Sequence, residues 1–197
     1  MDPASIASAA QDKAFVLSGV RFRQILEIEH LELDACRITA VVGPSGSGKT
    51  TLLRCLNRLL TPDAGEILFR GQSLDSLDPV ALRRRVVMLA QMPVIFPGSV
   101  EENLAIGCRL SEKPLPDSAA MAAMLRRVGL DKTLEEEASR LSGGEKQRLS
   151  LARVMLMDPE VLLLDEPSAS LDGQTESQIF ALLTDYCRER SRTLVLV

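Results

Sequence analysis

The chain has 197 residues, with 27 acidic against 23 basic side chains and a net charge of −4. That length supports one domain, or one domain with an inserted lobe, around a buried core. The acidic balance gives no electrostatic reason to expect a nucleic-acid partner, and four cysteines without C-x-x-C pairing suggest neither a zinc site nor a disulfide framework.

Residues 1–13 are Ala/Ser-rich, with Asp2 and Asp12. They lack the basic and apolar regions of a signal peptide and are expected to form a loose tail. No apolar run approaches the length of a membrane span. Segments 16–22 and 25–33 predict two short strands, the second alternating apolar with charged side chains. A third strand is expected over 37–42, and a helix over 51–60. Thr61-Pro62-Asp63-Ala64-Gly65 is a turn, followed by a strand at 66–69. Asp78-Pro79 opens a short helix, with Asp78 as cap and Pro79 at the first helical position. Residues 85–90 predict a buried strand that ends at Gln91.

From 92 to about 141 the character changes. Pro93, Pro97, Pro114 and Pro116 punctuate helical stretches at 99–106 and 117–128. A helical lobe is expected over 92–157, inserted into a core made of 14–91 and 158–197. Its last helix, 144–156, places Leu149, Ala152 and Leu156 on one face. Residues 161–164 are all apolar, as in a parallel strand. An amphipathic helix over 174–187 and a strand at 193–197 follow. The expected fold is α/β, with a mainly parallel sheet, N-terminal antiparallel strands and the inserted helical lobe.

Three motifs carry chemistry. Gly43, Pro44, Ser45, Gly46, Ser47, Gly48, Lys49 and Thr50 have the spacing G-x-x-x-x-G-K-[ST]. Placed between a strand and a helix, such a loop turns successive backbone N–H groups and the helix dipole toward phosphate oxygens. Lys49 would reach the β- and γ-phosphates, and the Thr50 hydroxyl would ligate Mg²⁺. Thr51 continues the cradle into the helix. Second, the strand at 161–164 delivers Asp165 and Glu166 to its carboxyl end, beside the loop in folds of this type. Asp165 would hold the Mg²⁺ shell, and Glu166 would polarise or orient the attacking water. Third, Ser142-Gly143-Gly144 opens a helix and can cradle a second anion. The same residues, with Glu145, also make an ordinary capping box.

The order of these motifs, with Gln91 at a strand end, LSGGEKQR (141–148), VLLLDEP (161–167) and Ser168-Ala169-Ser170-Leu171-Asp172, resembles the ATP-binding-cassette (ABC) ATPase family over nearly the whole chain. That resemblance implies a P-loop NTPase with a RecA-like core. Two subunits would pack head to tail, each ATP lying between the phosphate loop of one and the Ser142-Gly143-Gly144 turn of the other. Gln91 corresponds to the residue that senses Mg²⁺ and the attacking water, and Asp172 to the acid at the dimer seam.

The chain departs from the family pattern in three places. An aromatic that stacks on adenine is usual near Gln24; Phe22 is the closest aromatic and is expected in the core, so the adenine contact is unassigned. The seam loop has Ala169-Ser170 where Ser-Ala is common. A switch histidine usually follows the strand at 193–197, where this chain stops, and its one histidine, His30, lies far upstream. The expectation is a shortened cassette that binds ATP and hydrolyses it poorly.

Transport is the function the resemblance favours. It implies a separate integral-membrane permease, a second ABC subunit (a homodimer by default), and a cytoplasmic chain held on the inner face of the membrane through the permease. Met92, Pro93, Val94, Ile95, Phe96, Pro97 and Gly98 form a candidate docking stretch, with ordinary lobe core as the alternative. A soluble cassette, such as an iron–sulfur assembly ATPase, and a hydrolysis-impaired regulatory cassette are the competing classes. Residues 85–107 resemble small bacterial cassettes associated with metal or phosphate handling.

Overall fold

Alternating side chains carry the N-terminal segment into an antiparallel sheet. In the computed structural model, which describes residues 12–166 and 173–197, β1 (Lys13–Phe22) lies between β2 (Leu26–Asp34) and β4 (Ala64–Phe69), and β5 (Gln72–Ser73) extends the sheet beyond β4. β1 pairs antiparallel with both neighbours. It sends Phe15, Leu17 and Val20 inward, and the Phe15 and Phe69 rings meet at 5.1 Å. β2 is an edge strand whose Glu27, Glu29, His30 and Glu32 are exposed. A row of charges keeps such an edge from pairing with another chain.

The second sheet has the order β3 (Ile38–Ala40), β8 (Thr193–Leu196), β7 (Val161–Leu164), β6 (Val86–Leu89). β8 runs parallel to both β3 and β7. All four residues of β7 are fully buried, which explains its unbroken apolar sequence. The strand expected over 37–42 is thus three residues long, although the Val41 amide still reaches the Leu196 carbonyl at 2.8 Å.

Helix α1 (Lys49–Leu56) begins two residues before the predicted start and ends four before the predicted stop. The stop is local chemistry. Arg58 adopts φ 54°, and the amides of Leu59 and Leu60 both turn back to the Arg54 carbonyl. Helix α2 (Pro79–Arg85) starts as expected, with the Asp78 carboxylate accepting from the amides of Val80 and Ala81. Arg85 ends that helix rather than opening β6. Its guanidinium grips Glu160 through Nε (2.6 Å) and Nη2 (3.1 Å) while lying over the Phe69 ring.

The chain divides into two compact units. Met1–Met88, Glu160–Asp165 and Tyr186–Val197 form the first, with a core that includes Phe15, Leu17, Leu53, Phe69, Leu163 and Val195. Leu89–Pro159 and Glu166–Asp185 form the second. This one is helical: α3 (Val100–Leu110), α4 (Ser118–Arg127), α5 (Gly143–Leu156) and most of α6 (Gly173–Arg190). Each of the first three has a built start: a capping box of Ser99 with Glu102, Asp117 accepting from Ala120, and a capping box of Ser142 with Glu145. α3 and α5 approach closely at Gly107, where a β-carbon would lie 2.7 Å from the Met157 sulfur. At the end of α5 the Lys113 ammonium donates to the carbonyls of Met157 and Asp158, as a cation should at a helix C-terminus. Leu149 and Ala152 are buried, whereas Leu156, assigned to the same face, is only half-buried.

Candidate nucleotide site

Gly48 makes the phosphate loop possible. It sits at φ 89°, immediately before α1, and a β-carbon there would lie 2.7 Å from the Ile25 carbonyl oxygen. Only glycine meets both demands at low cost. Gly46, at φ 80°, turns the loop one step earlier. α1 therefore starts without a side-chain cap and without an acid in its first turn. Its first amides and the positive end of its dipole remain available for an anion. The Lys49 ammonium folds across the loop and donates to the carbonyls of Gly43 and Pro44, each at 2.9 Å. Pro44, Ser45 and Ser47 are exposed, and Thr51 is half-buried in the first turn of α1. A cleft of about 540 Å³ opens beside the loop, bounded by Gly43, Lys49, Leu26 and His30.

Within the same unit, Thr50 Oγ1 donates to Asp165 Oδ1 at 2.8 Å, joining residues 115 apart. Asp165 is 5% exposed at the end of β7, and Thr50 is the donor seen to its carboxylate among the described residues. A buried carboxylate with a hydroxyl beside it is a hard-oxygen pair of the kind Mg²⁺ takes from proteins that bind phosphate esters. The residues present fit that ion.

In the second unit, Gln91 Nε2 donates to Glu166 Oε2 at 2.5 Å. Glu166 is exposed and holds φ 46°, a left-handed conformation that a non-glycine residue rarely adopts and that recurs at functional sites. Chain order gave no sign of this strain. The two acids that follow β7 thus have different partners: Asp165 a threonine hydroxyl, Glu166 a glutamine amide.

The Ser142 turn is capped by its own helix. Glu145 N donates to Ser142 Oγ at 3.4 Å, and Ser142 N donates to Glu145 Oε2 at 2.8 Å. The Ser142 amide, then its hydroxyl, and the Lys132 ammonium hold the Glu145 carboxyl below the usual carboxylate range. Both roles weighed for this turn remain chemically compatible. The amides of Gly143 and Gly144 lie in the first helical turn, where no intrahelical acceptor exists, and Ser142 and Gly143 are exposed.

Other sequence-selected residues fall as follows. Phe22 is buried, at 7% exposure, and belongs to the core. His30 is exposed on β2, with Nε2 3.2 Å from Glu32 Oε1. Asp172, and the loop containing it, lie outside the described residues. In the 92–98 stretch Met92 (79%) and Val94 (59%) are the exposed large apolar side chains, and Pro97 is exposed beside them. Phe96 is half-buried beneath the Arg153 guanidinium, 5.0 Å from its ring. Arg153, buried in the last turn of α5, was missed; a cation set within the apolar run that ends the helix was its one signal.

A glycine loop closed by lysine, a helix-start threonine bonded to a strand-end aspartate, and a second glycine turn opening a helix define a P-loop nucleotide-binding protein. More narrowly, the chain belongs to the ABC transporter family, whose profile matches residues 26–169. Members of this family bind ATP, generally with Mg²⁺, and hydrolyse it. Protein STAR1 of Oryza sativa subsp. japonica is 42% identical over 181 residues, spanning 91% of this chain and 52% of that protein. The phosphate import ATP-binding protein PstB of Pyrobaculum aerophilum is 40% identical over 189 residues, or 88% of this chain and 74% of that one. Among solved structures, cbiO1 of Clostridium perfringens, part of the ABC transporter complex cbiONQ, superposes with a TM-score of 0.81 at 28% identity, covering 94% of this chain and 78% of that one. The chain spans about half the length of the rice relative.

Proposed function

We propose that this chain is the ATP-binding subunit of an import-type ABC transporter, working with a separate integral-membrane permease. The observation that carries the nucleotide assignment is the 2.8 Å bond from Thr50 to buried Asp165 behind the phosphate loop. Relatives named for phosphate and phosphonate import favour uptake as the direction. No described helix is long and apolar enough to cross a membrane, so the permease would hold the chain at the cytoplasmic face. In this proposal 14–91 and 158–197 form the ATP core, 92–157 form the lobe that meets the permease, and Met92 and Val94 supply the exposed apolar contacts of the docking stretch.

Thr50, Asp165 and Gln91 would hold Mg²⁺, which when bound would neutralise phosphate charge. Lys49 leaves the carbonyls of Gly43 and Pro44 for the β- and γ-phosphates, and the amides between Gly43 and Thr51 bind their oxygens. Glu166, oriented by Gln91, accepts a proton from the attacking water. Ser142, Gly143 and Gly144 of a second copy complete the γ-phosphate shell. ATP-driven dimerisation is therefore part of the function.

The test is sedimentation of the chain and of Glu166→Gln with and without Mg-ATP. A dimer that forms only with ATP, and that Glu166→Gln holds at least as long as the parent, is expected. A monomer under all conditions, with ATP bound, would overturn the sandwich.

A further inference from the structure

Arg153 is a buried cation whose partners are neutral. It sits on α5, eleven residues after the turn at Ser142, and is 8% exposed. Nε donates to the Asn103 carbonyl at 2.7 Å, Nη2 to Asn103 Oδ1 at 2.8 Å, and Nη1 to the Val94 carbonyl at 2.8 Å. The guanidinium carbon lies over the Phe96 ring, 5.0 Å from its centroid. Asn103, itself fully buried on α3, completes the figure: its Oδ1 accepts from the Phe96 amide and its Nδ2 donates to the Phe96 carbonyl, both at 2.9 Å. Burial pushes the guanidinium down to about 10, which leaves it charged at neutral pH. A desolvated cation with no carboxylate opposite contributes little to stability compared with an apolar residue of the same volume. What the planar fork does provide is fixed geometry, because three directed donors and one ring contact tie α5 to two other pieces of chain, α3 and the 92–98 stretch.

The geometry points to Arg153 as a positioning residue, a strut that makes the 92–98 stretch move with the signature helix α5. The inference rests on the proposed function, in which a second copy's nucleotide engages the Ser142 turn at the start of α5. Arg153 and Asn103 take most of what the stretch can offer: Pro93 and Pro97 lack amide hydrogens, the carbonyl of Val94 and both backbone groups of Phe96 go to these two side chains, and the Gly98 carbonyl accepts from the Ala138 amide at 3.0 Å. A displacement of α5 is then delivered to Met92 and Val94, the exposed apolar side chains. Gln91, which contacts Glu166, is the residue next to Met92, so the same strut also sets the chain entering that contact.

The experiment is hydrogen exchange followed by mass spectrometry on the full chain in the Glu166→Gln background, with and without Mg-ATP. Arg153→Met, Arg153→Lys and Phe96→Leu are compared with the parent. In the parent, ATP is expected to slow exchange both at 141–147 and at 94–98. In Arg153→Met, exchange at 94–98 without nucleotide should rise roughly tenfold or more. The ATP response there should vanish while that at 141–147 persists. Arg153→Lys should behave like Arg153→Met, since a single nitrogen lacks the planar fork that spans these three acceptors and covers the ring. Phe96→Leu, which keeps the hydrogen bonds and is the milder change to the fold, should retain the response. A parent in which 141–147 responds and 94–98 does not overturns the strut alone, as does an Arg153→Met or Arg153→Lys chain with the full response at 94–98. No ATP response at 141–147 in the parent overturns the nucleotide sandwich, and the strut with it.

Discussion

Two helices in this molecule begin at glycine-rich turns, and they solve the same problem in opposite ways. α1 opens from left-handed Gly48 with no side-chain cap and no acid in its first turn. α5 opens from Ser142, with Glu145 closing a capping box. Every helix start carries amides that the helix cannot satisfy. At α1 those amides are left for a ligand, and a negative side chain that would compete for them is absent. At α5 two of the four are already served from within, so the turn is stable alone and has only Gly143, Gly144 and the serine hydroxyl to offer. In the proposed function the first is the whole cradle for a phosphate, and the second is one part of a site that another copy would finish.

The comparison breaks most sharply at Gly48. Gly48→Ala forces a β-carbon to within 2.7 Å of a backbone carbonyl at φ 89°, so calorimetry should show ATP affinity falling by about 100-fold or more. Gly143 has nothing within 4 Å of an added β-carbon, and Gly143→Ala should leave the melting temperature unchanged. A Gly48→Ala chain that binds ATP normally would remove the claim that the loop is built by its backbone.

Thr50→Val comes next. It withdraws the donor from a carboxylate that is 5% exposed, an omission worth about 1–3 kcal/mol. Denaturant unfolding should show that loss, and the Mg²⁺ dependence of ATP binding should weaken with it.

Ser142→Ala should cost less, about 1 kcal/mol for a lost cap, or a melting temperature lower by roughly 2–4 °C in a chain of this size. Dimerisation should suffer more than stability does. Equal losses in both would reduce the turn to a cap.

The smallest effect is in pH. Glu145 has its carboxyl lowered by the Ser142 amide, then the Ser142 hydroxyl and Lys132. Its contribution is therefore fully present above the unfolded carboxyl value near ~4.3 and is lost as pH falls through the lower folded value. Melting curves from pH 7 down to pH 2 should show the parent losing an advantage over Glu145→Ala in that window. An advantage that persists at the lowest pH would assign the capping to something other than the carboxylate.

Local information determined a good deal of this. The glycine spacing of the phosphate loop, the Asp78-Pro79 start of α2, the Ser142–Glu145 box and the apolar run of β7 each depend on residues within a few positions of one another. Capping, left-handed turns and strand patterning act over that range, so they are visible in order alone, as is membership of the ABC family. Helix ends were less legible. α1 stops at Leu56 because Arg58 turns left-handed and two amides return to Arg54, an outcome the apolar periodicity does not encode. Tertiary structure alone decided which partners meet: Thr50 with Asp165 across 115 residues, Gln91 with Glu166 across 75, and Arg153 with Asn103 across 50. It also placed Phe96 under Arg153 instead of on the surface and held Glu166 at a positive φ. Those contacts join groups far apart in the chain; Thr50–Asp165 and Arg153–Asn103 draw their energy from burial, while Gln91–Glu166 stays exposed. A sequence names the side chains able to make such bonds; only the packed chain removes the water that would otherwise take their place.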